Sequence, residues 1–541
     1  MKKQKYLFTT LLALLVTSFS TAQNNIGIEY FSMGEYESAK QIFEKELSQK
    51  PAEANYYLGE IAFAQGKLED AKTYYAKGLS ADPEYPLNKV GEGKLLLKTN
   101  KNAAEDAFSA ALKKNKKSPE VNVAIARAYF ENGLLEDAKA KIEDARKYDK
   151  KYPGIYILEG DILFKSNPGE AAGRYEQAIY FDSNYVLGYL KSAKVYESIH
   201  PALAVEKLQT VIKLNPDYVL AYKYLGQINT SSGHWEDAIA AYQKYFAAST
   251  YNVEDITRYA SVLYFAKKYD ESIKLLEEGL SKEPDNYVLN RLLMYNLADT
   301  QQFEKGLPVA DKFFSLSNGK EHIGKDYTTY AILLKEAKQF DKALEQYKKA
   351  MEVDKESSEI YAEIADLYRA SGDNAQAAEA YKKYIELLGE NVEAKNYYQL
   401  GYYYLNAATN IDSSKVDAAQ IKTLSASYLH SADSAFAIVI ERLPESYTGY
   451  FYRARVNSLL DPDTELGLAR PYYEKLVEVL TKKGDDEGSK DMLLESYKYL
   501  GYYFYLKEDK HNAINYWEKI LSLSPGDSTA IQVLEQLKGK K

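Results

Sequence analysis

The chain contains no cysteine among its 541 residues. That absence excludes disulfides, thiolate zinc sites, iron–sulfur clusters, cysteine catalysis and lipid attachment through an N-terminal cysteine. Positive charge is also scarce, since 69 Lys and Arg stand against 78 Asp and Glu, for a formal net charge of −9. Because nucleic-acid-binding domains are typically basic, this balance argues against a nucleic-acid partner.

The sequence also lacks the short motifs of common enzymes. It has no Walker-type glycine loop, no GxGxxG after a strand, no GxSxG and no HExxH. Only five histidines occur, each expected at a helix end or turn and too far apart to share a helix face: His200, His234, His322, His430 and His511. The sequence therefore predicts no catalytic residue, no metal site and no cofactor.

A long apolar run is missing as well. The N-terminus has a basic segment, a short apolar segment and two small residues: Lys2, Lys3 and Lys5, then 7–16, then Ser20 and Ala22. A membrane span needs about 20 apolar residues, so this pattern predicts a cleaved export signal at residues 1–22 rather than an anchor. The mature chain is then expected to lie outside the cytoplasm, with no membrane span.

What the chain does contain is an internal repeat with a period near 34 residues. In several units a small residue is followed after four positions by a large apolar residue and after seven by a second small residue, as in Ala71, Tyr75 and Gly78. Such spacing places all three on one helix face. The first small residue recurs as Ala39, Ala71, Ala104, Ala138, Ala171, Ala204, Ala238, Ser272, Gly306, Ala343, Ala377, Ala432, Ala469 and Ala513.

Two further marks accompany this ladder. About twelve residues before most rungs lies another small residue: Gly27, Gly59, Ala126, Gly226, Ala260, Ala331, Ala365, Gly401, Ala454 and Gly501. Between the two marks stand glycines that are expected to cap a first helix in the left-handed conformation: Gly34, Gly66, Gly133, Gly233 and Gly372. Each unit therefore predicts two antiparallel helices that approach closely at small residues.

These marks resemble the tetratricopeptide repeat. The resemblance is carried by Tyr222, Leu225, Gly226, Gly233, Ala238 and Tyr242, and again by Tyr497, Leu500, Gly501, Phe504, Ala513 and Trp517. It covers nearly the whole chain after the signal. It implies an all-α, right-handed superhelical solenoid of about fourteen helix pairs with a capping helix at 528–538. We divide the predicted solenoid into an N-terminal array, residues 23–323, and a C-terminal array, residues 324–541.

Several segments depart from the repeat. Glu92 and Met294 replace small residues, and 152–184 is short by one or two residues, so irregular packing is expected at 85–118, 152–184 and 287–323. An insertion near 406–425 predicts either a longer helix pair that packs or a protrusion that binds a partner. A second one near 481–491 predicts a mobile surface loop.

Tyrosine is unusually abundant, with 52 residues against 18 Phe and 2 Trp. In the C-terminal units aromatic residues are adjacent, and adjacent helical residues point about 100° apart, so they cannot all face one core. We expect Tyr397, Tyr404, Tyr497 and Phe504 in the core. The predicted partner-binding residues, on the side that the resemblance assigns to the concave groove, are Tyr398, Tyr402, Phe451, Arg455, Lys498, Tyr502 and Tyr505. The alternative is a tyrosine-rich composition that only fills the fold.

The sequence thus favours a non-enzymatic scaffold that binds a protein or peptide in its groove. The signal and the tyrosine-rich helices are similar to exported repeat proteins of Bacteroidota, which implies the periplasm or outer membrane of a Gram-negative cell and peripheral association with outer-membrane machinery. The alternative function is glycan binding at the tyrosine-rich groove. Known outer-membrane sugar-binding proteins with such repeats usually have a lipid-anchoring cysteine and a large non-repeat region, which this chain lacks. The family's lysine–asparagine carboxylate clamp is matched only in part, by Lys223 and Gln227, and is not assigned.

Overall fold

The computed structural model describes residues 26–248, 250–316, 321–355, 357–414, 416–483 and 487–539. The predicted export signal lies outside these residues. Within them the chain forms 29 α-helices and one short 3-10 helix (Gly389–Asn391), with no β-strand. The all-α prediction is confirmed.

The chain divides into two compact units, here called unit 1 (Met1–Pro284) and unit 2 (Asp285–Lys541). The boundary lies one repeat before the predicted one at residue 323. Unit 1 contains α1 (26–32), α2 (Tyr36–Glu46), α3 (Pro51–Ala64), α4 (Leu68–Ala81), α5 (Pro86–Leu96), α6 (Lys101–Leu112), α7 (Pro119–Glu131), α8 (Leu135–Tyr148), α9 (Pro153–Leu163), α10 (Pro168–Phe181), α11 (Val186–Ile199), α12 (Pro201–Leu214), α13 (Val219–Ser231), α14 (Trp235–Ala248), α15 (Val253–Phe265) and α16 (Tyr269–Lys282).

Unit 2 continues the same alternation. It contains α17 (Tyr287–Asp299), α18 (Phe303–Ser315), α19 (Gly324–Glu336), α20 (Phe340–Val353), α21 (Glu359–Ser371), α22 (Asn374–Leu388), α23 (Ala394–Thr409), α24 (Ala418–Arg442), α25 (Tyr447–Leu460), α26 (Arg470–Lys483), α27 (Glu487–Leu506), α28 (Lys510–Leu523) and α29 (Ser528–Lys538). Odd-numbered helices open a pair and are called A helices, whereas even-numbered helices are called B helices. The described residues give fourteen pairs followed by α29, as predicted.

The ladder of small residues forms the seam within each pair. Its rungs lie on the B helices or, for Ala469, just before one, and all of them are buried. The partner glycines of the A helices explain the close approach. A Cβ atom on Gly59 would lie 2.3 Å from the ring of Tyr75, and one on Gly226 would lie 2.8 Å from Tyr242. Small residues are therefore required where a large B-helix side chain meets the A-helix backbone.

The predicted glycine caps end A helices, and prolines begin several helices. The five capping glycines have φ between 73° and 88°, the left-handed region that favours glycine. Proline opens six helices of unit 1, where its missing N–H is not needed: α3, α5, α7, α9, α10 and α12.

In two of the three segments where we expected irregular packing, a glycine one position after the expected one makes the close contact between the helices. In α5 the role of Glu92 is taken by Gly93, whose added Cβ would lie 2.5 Å from the ring of Phe108. In α9 Gly160 does the same against Tyr175, at 2.2 Å. Only in α17 does a large residue remain, since Met294 is fully buried. The close helix contact is thus kept in two of the three segments for which we expected irregular packing.

The two insertions are mostly helical. The surplus near 406–425 lengthens α24 to 25 residues, and its first turns, from Ala418 to Leu424, are largely exposed. The predicted loop at 482–490 is wrong in part, because α26 runs to Lys483 and α27 begins at Glu487. Residues 484–486 lie outside the described residues.

Candidate protein-binding surfaces

The predicted partner-binding residues come from three successive A helices of unit 2. Helix α23 contributes Tyr398 and Tyr402, α25 contributes Phe451 and Arg455, and α27 contributes Lys498, Tyr502 and Tyr505. Their contacts differ, and these contacts decide which of them remain available to a partner.

Tyr398 and Tyr402, one turn apart on α23, both contact Tyr452 of α25. The ring centroids are 5.4 Å and 6.2 Å from that of Tyr452, with nearly perpendicular planes. Edge-to-face contacts of this kind fix ring orientation. Tyr402 is 37% exposed, whereas Tyr398 is half-buried and burial raises its pKa. We call Tyr398, Tyr402 and Tyr452 the tyrosine cluster, a preformed aromatic surface.

Arg455 is not a free cation. Its guanidinium donates two hydrogen bonds to Glu495 of α27, at 2.9 Å and 2.6 Å, and the first of these raises the pKa of Arg455. The Tyr473 hydroxyl also donates to Glu495, at 2.9 Å. Arg455 therefore joins two repeats, which is a structural role.

Lys498 has a similar tethering role at the end of the array. Its ammonium lies 2.9 Å from Asp527, the N-cap of α29, and this hydrogen bond lowers the pKa of Asp527. Tyr505 accepts a hydrogen bond of 3.1 Å from Gln536 of the same helix. Tyr502 remains 46% exposed.

The structure corrects the placement of Phe451. This ring is only 7% exposed and belongs to the core formed with Ala454 and Leu493. The guanidinium of Arg455 lies 4.2 Å from the ring centroid. Phe451 is therefore a core residue, since α27 and Arg455 cover it. Tyr404, Tyr497 and Phe504 are buried as predicted, and Tyr397 is partly buried.

A recurring polar contact between repeats was missed by the sequence analysis. The buried Tyr75 hydroxyl donates to Glu60 at 2.6 Å, and Lys94 of the next A helix donates to the same carboxylate at 2.8 Å. In α9, Asp161 accepts from Tyr175 at 3.0 Å and from Arg127 at 2.9 Å.

Unit 2 has a related arrangement, in which the B-helix tyrosine donates to a carboxylate on the A helix of the next pair. Tyr347 donates to Glu363, and Tyr473 to Glu495 beside Arg455. The sequence does hold a signal for these contacts: two residues of opposite charge stand one repeat period apart. The separation is 34 residues both for Glu60 and Lys94 and for Arg127 and Asp161.

In unit 1 the first helix contacts the seventh pair. The Tyr218 hydroxyl donates to Glu29 at 2.6 Å, and burial raises the pKa of Glu29 to about 7. Lys223 of α13 binds Glu35 at 2.8 Å and Asp255 at 3.1 Å. Lys223, which partly matched a carboxylate clamp, thus holds carboxylates of its own chain.

The A helices of unit 1 also line a cavity of about 590 Å³. Its walls include Tyr57, Tyr152 and Tyr185 together with Glu120 and Arg127. Helix α1 closes part of this cavity through Ile28, Glu29 and Phe31. The A-helix surface of unit 1 is thus occupied in part by the chain itself.

Four stretches of the chain match the family model of the tetratricopeptide repeat: 24–86, 91–154, 197–252 and 331–391. These four stretches are tetratricopeptide repeats. A comparison with curated proteins finds no match.

Solved structures with similarity to the chain include other tetratricopeptide repeat proteins. The C-terminal part of one from Cytophaga hutchinsonii is 28% identical, with 51% of this chain and 99% of that chain covered and a TM-score of 0.42. One from Parabacteroides merdae is 17% identical over 47% of this chain and 99% of that chain, with a TM-score of 0.32. The type IV pilus biogenesis factor PilW is 16% identical over 38% and 98%, with a TM-score of 0.33.

The tetratricopeptide helices do not bring the histidines together. Four lie at helix ends or turns as predicted, but His430 lies inside α24 because the lengthened helix includes it. His322 is held among aromatic rings with Nδ1 3.7 Å from Asp326, and burial lowers its pKa. Within the described part of the chain, no group of three or more His, Asp or Glu could hold a metal ion. Among the same residues, no helix is both long and apolar enough to cross a membrane.

Proposed function

We propose that this protein is a non-enzymatic scaffold of the cell envelope that binds a partner protein or peptide on the A-helix surface of unit 2. The observation that carries the proposal is the tyrosine cluster. Two ion pairs that join neighbouring repeats precede and follow it along the chain, Lys335 with Asp366 and Arg455 with Glu495. These four charged groups therefore already have partners within the chain. A partner there would meet ring surface and hydroxyl groups.

Tyrosine suits such a surface for physical reasons. It offers a large contact area with few rotatable bonds and a hydrogen-bonding tip, and it is enriched among residues that dominate binding energy. The mutual contacts of Tyr398, Tyr402 and Tyr452 hold the rings in place before binding, which lowers the ordering cost. Tyr502 on α27 extends the exposed ring surface of this unit.

The proposal also assigns the compartment. The basic segment, apolar segment and small residues at the N-terminus support export, and removal of residues 1–22 would release the chain into the periplasm or to the outer membrane. Partners would then be envelope proteins, with peripheral association to outer-membrane machinery and no nucleic acid.

The test is capture from intact cells of the native host. Tagged full-length protein is crosslinked in the cells, purified from fractionated envelopes and compared with a Tyr402→Ala, Tyr502→Ala variant. The proposal predicts a fixed set of envelope proteins in stoichiometric yield that the variant loses. Equal recovery by both proteins would contradict the assignment of the surface.

Glycan binding on the same tyrosines is the second candidate, because aromatic faces also stack on sugars. Titration of the purified chain with oligosaccharides and with peptides separates the two. Fluorescence quenching by oligosaccharides alone, lost in the double variant, would establish the glycan function and refute the protein scaffold.

A further inference from the structure

Helix α1 has two apolar faces, whereas an ordinary helix of a solenoid end needs only one. One face, with Ile28 and Phe31, packs on the core of α2 and α3. The other face, with Ile26 and Tyr30 and continued by Met33 just after the helix, packs on the core of α11 to α13, and Tyr30 also contacts the core of α2 and α3. Because these three residues are four and three positions apart, they form one continuous stripe.

Polar contacts flank this stripe and fix its direction. Glu29, three residues after Ile26, accepts the Tyr218 hydroxyl at 2.6 Å. Glu35, two residues after Met33, accepts from Lys223 at 2.8 Å and from the Tyr224 hydroxyl at 3.4 Å. Lys223 is only 7% exposed, so its charge depends on the carboxylates of Glu35 and Asp255.

Beneath the stripe, the surface of α11 and α13 is mainly apolar. Leu190, Ala193, Tyr224 and Ile228 line a small pocket together with Met33, and the paired side chains of Lys194 and Glu197 complete its lining. The first four of these residues are buried with α1 in place. Without α1 they would present an apolar strip beside a cation, which is the complement of an amphipathic helix with acidic residues.

We propose that the α11–α13 surface is a second protein-binding site, specific for an amphipathic helix, and that α1 is its resident occupant. The partner helix carries apolar side chains at the relative positions of Ile26, Tyr30 and Met33. It carries a carboxylate at the position of Glu35 and a hydrogen-bond acceptor for the Tyr218 hydroxyl at that of Glu29. Such a helix competes with α1 and opens the first repeat away from the seventh.

Competition of this kind has a quantitative consequence. A segment tethered in the same chain acts at an effective concentration near the millimolar range, so a free helix binds the unsubstituted chain much more weakly than a chain whose α1 is loosened. We expect a difference of about tenfold or more.

The probe is a fluorescein-labelled peptide of residues 24–48, which spans α1 and α2. It is titrated into full-length protein and into an Ile26→Ser, Met33→Ser variant. The matched control is Ile199→Ser, Leu214→Ser, which changes two exposed apolar residues of the same unit. We expect the peptide to bind the loosened variant tightly, and the unsubstituted chain and the control weakly and alike. A peptide with Glu35→Gln should bind less well, because it loses the charge that pairs with Lys223.

Hydrogen exchange provides a second measurement that needs no variant. Excess peptide added to the unsubstituted chain should speed exchange of the amides at 26–33 and leave those of α19 to α23 unchanged. If the Ile26→Ser, Met33→Ser variant does not fold, hydrogen exchange of the unsubstituted chain is sufficient to test the proposal. Failure of the peptide to bind the folded variant, or unchanged exchange at 26–33 under saturating peptide, would overturn the proposal.

Discussion

Units 1 and 2 are built from the same helix pair, yet they use their A-helix surfaces differently. In unit 1 this surface receives the chain's own first helix, through the contacts of Glu29 with Tyr218 and Glu35 with Lys223. In unit 2 the corresponding helices expose Tyr402 and Tyr502. The repeat dictates how neighbours pack, whereas the residues on the A-helix surface decide whether that surface is closed or open.

Unit 1 also contains carboxyl groups whose charge is unfavourable in the fold. Burial raises the pKa of Glu29, Glu92 and Glu120. Other carboxyls are stabilised as anions in both units: against the effect of burial, Lys191 and Arg127 lower the pKa of Asp161 in unit 1, and Lys335 and Arg369 lower that of Asp366 in unit 2.

The chain supplies one tryptophan to each unit, and this makes the comparison measurable. Trp235 lies in α14 of unit 1, and Trp517 lies in α28 of unit 2. A Trp517→Phe chain reports unfolding of unit 1 alone, and a Trp235→Phe chain reports unit 2 alone.

The largest expected effect concerns binding. Tyr402→Ala with Tyr502→Ala should weaken partner binding by about a hundredfold or more, since hot-spot tyrosines contribute about 2 kcal/mol each. Tyr180→Ala is the matched control, because this ring is 83% exposed but lies in unit 1. Affinity is measured by titration with the captured partner. Equal losses in both variants would remove the distinction between the two surfaces.

The next effect is a pH dependence confined to unit 1. Folded Glu29 keeps its proton to about pH 7, whereas the unfolded chain releases it near 4.5, so between these values the unfolded state binds fewer protons. Unit 1 should lose up to about 3 kcal/mol as pH rises from 5 to 8. Urea unfolding of the Trp517→Phe chain measures it.

Glu29→Gln provides the control for that measurement, since the amide cannot ionise. It should reduce the pH dependence of unit 1, leaving the part that the raised pKa values of Glu92 and Glu120 contribute, and unit 2 should not weaken over the same range. A dependence of unchanged size after the substitution would mean that Glu29 is not its source.

Overpacking the helix seam should affect each unit separately. Gly226→Leu places side-chain atoms against Tyr242, and Gly401→Leu places them against Phe436. Each should destabilise its own unit by about 1–3 kcal/mol or more. Gly173→Ala is the control, because an added Cβ there meets no atom within 4 Å. A single transition that both tryptophans report identically would show that the units unfold together.

The smallest effect concerns the ion pair of Arg455 with Glu495. Both side chains are partly exposed, so Arg455→Ala should cost unit 2 about 1 kcal/mol or less. Urea midpoints of the Trp235→Phe chain check this value. A much larger loss would show that the cover over Phe451 matters more than the charge.

Much of the fold could be predicted because its signals are local. The spacing of Ala71, Tyr75 and Gly78 specifies one helix face, and the left-handed glycines specify where A helices end. The candidate site was predicted less well. Phe451 and Arg455 were placed by helical angle alone, and helical angle does not reveal that α27 covers one and binds the other.

The sequence by itself determined the helix pairs, their number and their seams, because a 34-residue period of small and aromatic residues acts within one repeat and its neighbour. Only the tertiary structure decided that Glu29 meets Tyr218, 189 residues away, and Lys223 meets Glu35, 188 residues away. Such contacts depend on the small rotation from each repeat to the next, summed over seven pairs. No local sequence pattern specifies this accumulated rotation. It is the rotation that brings the first helix against the seventh pair and so covers the A-helix surface of unit 1.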